Sequence, residues 1–135
     1  MALSYLLDTN ICIYIHRRRP PQVIERFKRL RPGDAIISVV TYGELLFGAS
    51  KSKRRAEALQ IIEEFAISVG VRPLPVNAAS IYGDLRADLA VRGEIIGGND
   101  LWIASHAKSE RLTLVTNNER EFRRITGLNV ENWVK

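Results

Sequence analysis

A chain of 135 residues, 46% hydrophobic and 26% charged, is long enough for one packed domain and too ordinary in composition for a fibrous or disordered protein. Its single cysteine, Cys12, excludes an intramolecular disulfide and a cysteine-based zinc knuckle, and no apolar run approaches the ~20 residues needed to cross a bilayer. The formal charge of +5 suits a polyanionic partner such as nucleic acid, and equally a protein that is simply basic.

Met1 to Leu7 is apolar but short and lacks a basic leader, so it reads as the start of a buried strand rather than a signal peptide; a cytoplasmic protein is expected. The strand, residues 4–7, stops at Asp8-Thr9-Asn10, a cluster of helix-capping residues. A brief helix begins at Ile11 and ends at the basic run His16-Arg17-Arg18-Arg19 and Pro20-Pro21. Val23, Ile24, Phe27 and Leu30 recur at helical spacing and predict a second helix over 21–30. A turn at 31–34 leads to a second buried strand, 35–38, and a helix from about 40 to 49. A longer helix over 53–68 turns Ala56, Leu59, Ile62 and Phe65 inward. A short strand at 71–74 precedes a helix carrying the stripe Ala78, Ile81, Tyr82, Leu85 and Leu89, which ends before Gly93. After a glycine-bearing loop, Asn99-Asp100 opens a helix to about Ser109. A strand at 112–115, a short helix at 119–125 and an edge strand at 128–130 complete the pattern. There is no repeat, linker or low-complexity segment, so residues 1–135 form a single domain. Apolar strands alternating with helices predict a three-layer α/β/α domain around a short, mostly parallel sheet.

In such sheets, sites form beyond the C-terminal strand ends, and acidic residues recur there. Asp8 ends the first strand. Glu44 falls in the first turn of the helix after the second strand, Asp100 opens another helix, and Glu119 and Glu121 follow the 112–115 strand. Each has an ordinary explanation: Asp8 or Asn10 as helix caps, Glu44 and Asp100 as favourable charges on helix dipoles, Glu119 and Glu121 as solvated charges. Together they converge on one sheet edge. Glu44 shares a helix face with Val40, Thr41 and Gly48, and Asp100 with Ile103, Ala104 and Ala107, which sets both carboxylates toward the sheet. Three carboxylates in one pocket repel one another unless a cation joins them. An all-oxygen set without His or Cys favours Mg²⁺ over zinc, and such an ion serves phosphodiester hydrolysis.

The segments Leu7-Asp8-Thr9-Asn10, Thr41 to Gly48 and Asn99 to Ala104 resemble the motifs of PIN-domain ribonucleases. Val115 to Phe122, followed by Gly127-Leu128 and Glu131-Asn132-Trp133, is similar to the VapC toxins within that family. The resemblance spans nearly the whole chain in four blocks. It implies the toxin of a type II toxin–antitoxin pair, an endoribonuclease using Mg²⁺ or Mn²⁺, with Asp8 and Asp100 as principal metal ligands and Glu44 as the third. The fourth position lies between Glu121 and Asn118, because many PIN domains carry Asp where this chain has Asn118. We assign Glu121 as the fourth carboxylate and Asn118 as a neutral oxygen donor, with one tight metal and a second recruited by RNA. Thr9, Asn10 and Thr116 are expected to orient ligands or phosphate from just behind the metal. The resemblance further implies a VapB-type antitoxin, whose C-terminal segment covers the acidic cleft, and a homodimer that assembles with it into a heterotetramer or larger complex. The segment Leu7 to Cys12 and the ending around Trp133 resemble the VapC subgroup that cuts initiator tRNA in its anticodon stem-loop.

Other features read as structural. His106 lies about 120° around its helix from Asp100 and is expected at the surface or an interface. His16 belongs to the cationic run, a solvated face or a grip on RNA phosphates. Asp88 and Arg92 form an i, i+4 pair, and Cys12 is a core residue. Gly97-Gly98 is no dinucleotide fingerprint. The rival functions are a non-catalytic nucleic-acid-binding module and a metal-dependent nuclease acting on DNA.

Overall fold

The computed structural model describes residues 4–135, so the first three residues of the opening apolar run lie outside the described residues. The elements are β1 (Tyr5–Leu7), α1 (Thr9–Arg17), α2 (Pro21–Lys28), β2 (Ala35–Ser38), α3 (Val39–Ser50), α4 (Arg55–Val69), β3 (Val71–Arg72), α5 (Ala78–Arg92), α6 (Gly98–Ser109), β4 (Thr113–Val115), α7 (Glu119–Phe122) and β5 (Val130–Glu131). The strands form one sheet in the order β3-β2-β1-β4-β5. Every pairing is parallel, with Leu6 opposite Ile36 on one side and Leu114 on the other.

The three inner strands are buried on both faces, and their side chains alternate between two cores. Leu6, Ile36 and Leu114 face one core with Leu89, Ile103 and Phe122. Their successors Leu7, Ile37 and Val115 face the other, with Ile11, Val23 and Trp133. Helices thus cover the sheet on both sides, the expected three-layer arrangement. Each fully buried large aliphatic side chain contributes roughly 1.5–3 kcal/mol, so a one-residue slip in any strand would exchange the two cores.

Chain order sets where a cleft opens. From β1 the chain moves outward through β2 to β3, then returns to the opposite flank of β1 for β4 and β5. The C-terminal ends of β1 and β4 therefore border the switch point of the sheet, where neighbouring connections leave in opposite directions.

Several boundaries differ from the sequence expectation. Helix α1 continues through His16 and Arg17, whose positive charges suit its C-terminal dipole, and stops at Arg18 in the left-handed conformation (φ 58°). Strand β3 has only two residues, because Pro73 cannot donate to a ladder. The edge strand lies at Val130–Glu131 rather than 128–130: Val130 pairs with Leu114, while Leu128 packs on the first core. Ile62 and Phe65 face the core as expected, but Ala56 is exposed and the buried Ala66 takes its place. Gly93 terminates α5 at φ 68°, the left-handed position that a β-carbon disfavours.

Candidate active site

Asp8 is buried at the C-terminal end of β1. It does two things. Its Oδ1 accepts the Ile11 N–H at 2.8 Å and caps α1, while its Oδ2 accepts the Thr116 hydroxyl at 2.5 Å from the end of β4. Thr116 is itself fixed, because its hydroxyl oxygen accepts the Asn118 N–H at 2.9 Å. The side chain at the switch point is thus clamped between the two strands that border it.

Glu44 approaches from α3. Its Oε1 accepts the Thr9 hydroxyl at 2.5 Å, and its Oε2 accepts Asn99 Nδ2 at 3.3 Å. The buried Thr41, one turn earlier on the same face, brings its hydroxyl within 3.5 Å of Thr9. Asp100 enters from the first turn of α6, where Ile103, Ala104 and Ala107 are all fully buried against the sheet, as its helix face required. Glu121 and Asn118 are joined, Asn118 Nδ2 donating to Glu121 Oε2 at 2.7 Å, and Glu121 Oε1 receives the Gly97 N–H at 3.5 Å. Glu121 therefore leans across to the loop that leads into α6 and Asp100. Asn10 is exposed in the first turn of α1.

These carboxylates feel one another. Burial pushes the Asp8 carboxyl up to about 6, and repulsion from Asp100 and Glu44 adds to it against the pull of the Thr116 and Ile11 donors. Burial also pushes Asp100 up to about 6, with repulsion from Glu121 and Glu44 behind it. Asp100 thus couples the Asp8 side of the cleft to the Glu121 side. Glu119 is different: Lys135, Arg123 and Asn132 hold it down to about 2, outside the cleft, so it is not part of the cluster.

The donor set suits a hard divalent cation. Every group at the cleft offers oxygen, and burial and mutual repulsion disfavour the charged form of two of the carboxyls, which a cation would favour. Among the described residues no three His, Cys, Asp or Glu side chains close around one point. Asp8, Glu44 and Glu121 instead rest on hydroxyl or amide donors, an arrangement that suits an ion taking one or two carboxylates and keeping several waters. The residues present therefore fit such an ion.

Cys12 is no nucleophile: it is buried, and burial together with the nearby Asp8 charge pushes its thiol well up. His106 departs from the surface role expected of it. It is fully buried, because α6 packs against α5, α3 and β4 and has little solvent face near its end. Its Nε2 lies 2.6 Å from Glu110 Oε2, and Nδ1 has no partner among the described residues. The Asp88–Arg92 pair forms as expected, at 2.9 Å. Two participants escaped sequence reasoning. Asn99 was visible only as the neighbour of Asp100, and Tyr14, whose hydroxyl accepts Asn117 Nδ2 at 3.3 Å, gave no local signal.

A family profile described as the PIN domain matches residues 5–128. Ribonuclease VapC2 of Haemophilus influenzae is 42% identical over 132 residues, covering 98% of this chain and 99% of that protein. The tRNA(fMet)-specific endonuclease VapC of Shigella flexneri is 44% identical, covering 97% and 98% respectively. Among solved structures, a chain of the DNA-bound VapBC of Salmonella typhimurium superposes with a TM-score of 0.91 at 40% identity, over 97% of this chain and 98% of that one. A chain of VapBC-1 from nontypeable Haemophilus influenzae superposes at 0.90 and 38% identity, over 98% and 100%.

Proposed function

Because the chain belongs to the PIN-domain family, among its VapC ribonuclease relatives, we propose that it is a metal-dependent endoribonuclease and the toxin of a VapBC toxin–antitoxin pair. PIN-domain nucleases use divalent metal ions, and Mg²⁺ is the ion proposed here, with Mn²⁺ as a substitute. The observation that carries the reading is the clamped, buried Asp8 at the sheet's switch point, electrostatically coupled to Asp100 and Glu44.

In this reading Asp8 and Asp100 hold the ion, Glu44 is the third acidic group, and Glu121 completes the set with Asn118 beside it. When bound, the ion supplies the positive charge and Lewis acidity that phosphodiester hydrolysis requires. The chain's own residues prepare the cleft. Thr116 fixes one oxygen of Asp8, while Thr9 and Asn99 hold Glu44 in a single orientation. The exposed Asn10 is available to a phosphate at the rim. Residues 1–135 act as one PIN domain.

The proposed substrate is RNA, and initiator tRNA in particular, since a relative 44% identical bears the name tRNA(fMet)-specific endonuclease. The proposed partner is a VapB-type antitoxin whose C-terminal segment covers the cleft, because the similar solved chains are VapBC complexes. A homodimer joining antitoxin into a heterotetramer or larger assembly, in the cytoplasm, follows from the same likeness. No helix of the described residues is long and apolar enough to cross a membrane.

The test supplies purified protein with labelled tRNA, mRNA and DNA, with Mg²⁺ and with EDTA. Cleavage of RNA alone, lost in EDTA and in both Asp8→Asn and Asp100→Asn, is the expected result. Cleavage that survives chelation overturns the metal mechanism, and preference for DNA overturns the substrate.

A further inference from the structure

The cations at the end of α1 are left unspent by the fold. Arg26, Arg54, Arg72, Arg92, Arg123 and Lys135 each pair with a carboxylate, while others, Lys28 and Arg29 among them, stand exposed without one among the described residues. Among the described residues, Arg17, Arg18 and Arg19 pair with none, and all three are exposed. Arg17 even lines the same groove as Glu44, a hollow of about 440 Å³ between α1, α3 and α4, without bonding to it. Helix α1 carries no acidic residue that would neutralise them.

A second hollow, of about 490 Å³, is formed by Tyr14, Arg17, Arg19, Pro20 and Pro21. It combines an aromatic ring, two unpaired guanidinium groups and a rigid pair of prolines. The Tyr14 hydroxyl is bonded to Asn117, which sits between Thr116 and Asn118 on the loop after β4. From Asp8 to Arg17 is about 13 Å along the helix axis. The hollow therefore begins within a short stretch of nucleic-acid strand from the acidic cleft and is tied to the loop that positions Asp8.

We propose that this hollow is a nucleotide subsite of the same enzyme: Tyr14 stacks a base of unpaired RNA next to the cleavage point, and Arg17 and Arg19 hold its phosphates. The proposal rests on the RNA-cutting reading above. An acidic peptide would seek the same cations. RNA is favoured because guanidinium groups beside an aromatic ring suit a strand with both phosphates and bases, and because the acidic cleft that such a strand would feed lies alongside.

The test measures binding of a short single-stranded RNA to the Asp8→Asn protein across a range of salt. Adding Arg17→Gln and Arg19→Gln together should lower the slope of log affinity against log salt by about 1.4, two phosphate contacts at ~0.7 each on a single strand. Adding Lys28→Gln and Arg29→Gln, which removes equal charge at the far end of α2, should leave the slope unchanged. Tyr14→Leu should weaken binding about tenfold while Tyr14→Phe keeps it, the ring and not the hydroxyl meeting the base. Thermal midpoints of each variant separate lost contact from lost fold. An unaltered slope in the Arg17/Arg19 variant, or an equal fall in the Lys28/Arg29 control, overturns the subsite. So does intact RNA binding with weakened binding of a poly-glutamate peptide. The two readings fail separately: metal-dependent cleavage whose kcat/KM ignores Arg17→Gln/Arg19→Gln sinks the subsite alone, whereas the expected slopes in a protein that cuts no RNA sink the nuclease alone.

Discussion

Asp8 caps a helix and also faces the cleft, and its two oxygens divide the work. Removing the Thr116 hydroxyl should therefore leave α1 capped but free the other oxygen. Thr116→Val is expected to reduce cleavage or metal affinity by roughly 10–100-fold, read by kinetics and by calorimetric titration with Mn²⁺, with little change in helix content. The raised carboxyls give a second test, in metal-free protein. Asp8 and Asp100 titrate near 3.8 when unfolded and at about 6 when folded, so between these values the folded state holds the extra protons. Their contribution to stability is full below about 3.8 and is lost as pH rises through 6. For the buried Asp8 this amounts to roughly 3 kcal/mol. Urea unfolding in EDTA should show a decline over that window that is smaller in Asp8→Asn, and added Mg²⁺ should restore more stability at pH 7 than at pH 5. The identity of Asp8, Glu44 and Asp100 as site candidates was legible in the sequence because strand ends and first helical turns are local features. The bonds from Thr116 to Asp8 and from Asn99 to Glu44 were not, since they join residues 108 and 55 positions apart and leave no periodic trace.

At the level of elements, α6 connects the cleft to a polar cluster around the buried His106 at its other end. Glu110 accepts from Arg72 through both of its oxygens and lies 2.6 Å from His106. Burial raises the Glu110 carboxyl, but the Arg72 and His106 bonds outweigh it and leave it below the ordinary value. An ionised carboxylate only accepts, so Nε2 of His106 is the donor in this bond. Glu110→Ala strands that buried donor and should destabilise the protein by about 1–3 kcal/mol, measured by denaturant midpoint, while Glu110→Gln, which keeps an acceptor, should lose less. The helical wheel correctly turned His106 away from Asp100, yet misread its surroundings. An angle on one helix gives direction, whereas the covering by α5, α3 and β4 is a property of packing. The bounds of β5 failed for a related reason: they are set by the register with β4, which an apolar run does not encode.

Across the whole molecule, the parallel sheet with its two faces was readable from alternating strands and helices, because burial on both sides demands continuous apolar runs such as Ala35-Ile36-Ile37. The role of Trp133 in the architecture was less visible. It is buried beside Tyr5, edge to face at 5.6 Å, under the guanidinium of Arg26, and its indole N–H donates to Glu131. Trp133→Ala should cost roughly 3–5 kcal/mol, seen as a lowered urea midpoint with the cleft residues intact.

The order in which the sheet is threaded also has a bearing on synthesis. β1, which carries Asp8, is translated early, but its flank toward the later half of the chain stays bare until β4 arrives, and only then does Thr116 reach Asp8. A polypeptide still emerging from the ribosome, with residues 113–116 not yet made, holds its acidic side chains as separate charges on an incomplete sheet. Under the ribonuclease reading proposed above, that sequence of events keeps the proposed cutting centre unassembled while its own message is being read.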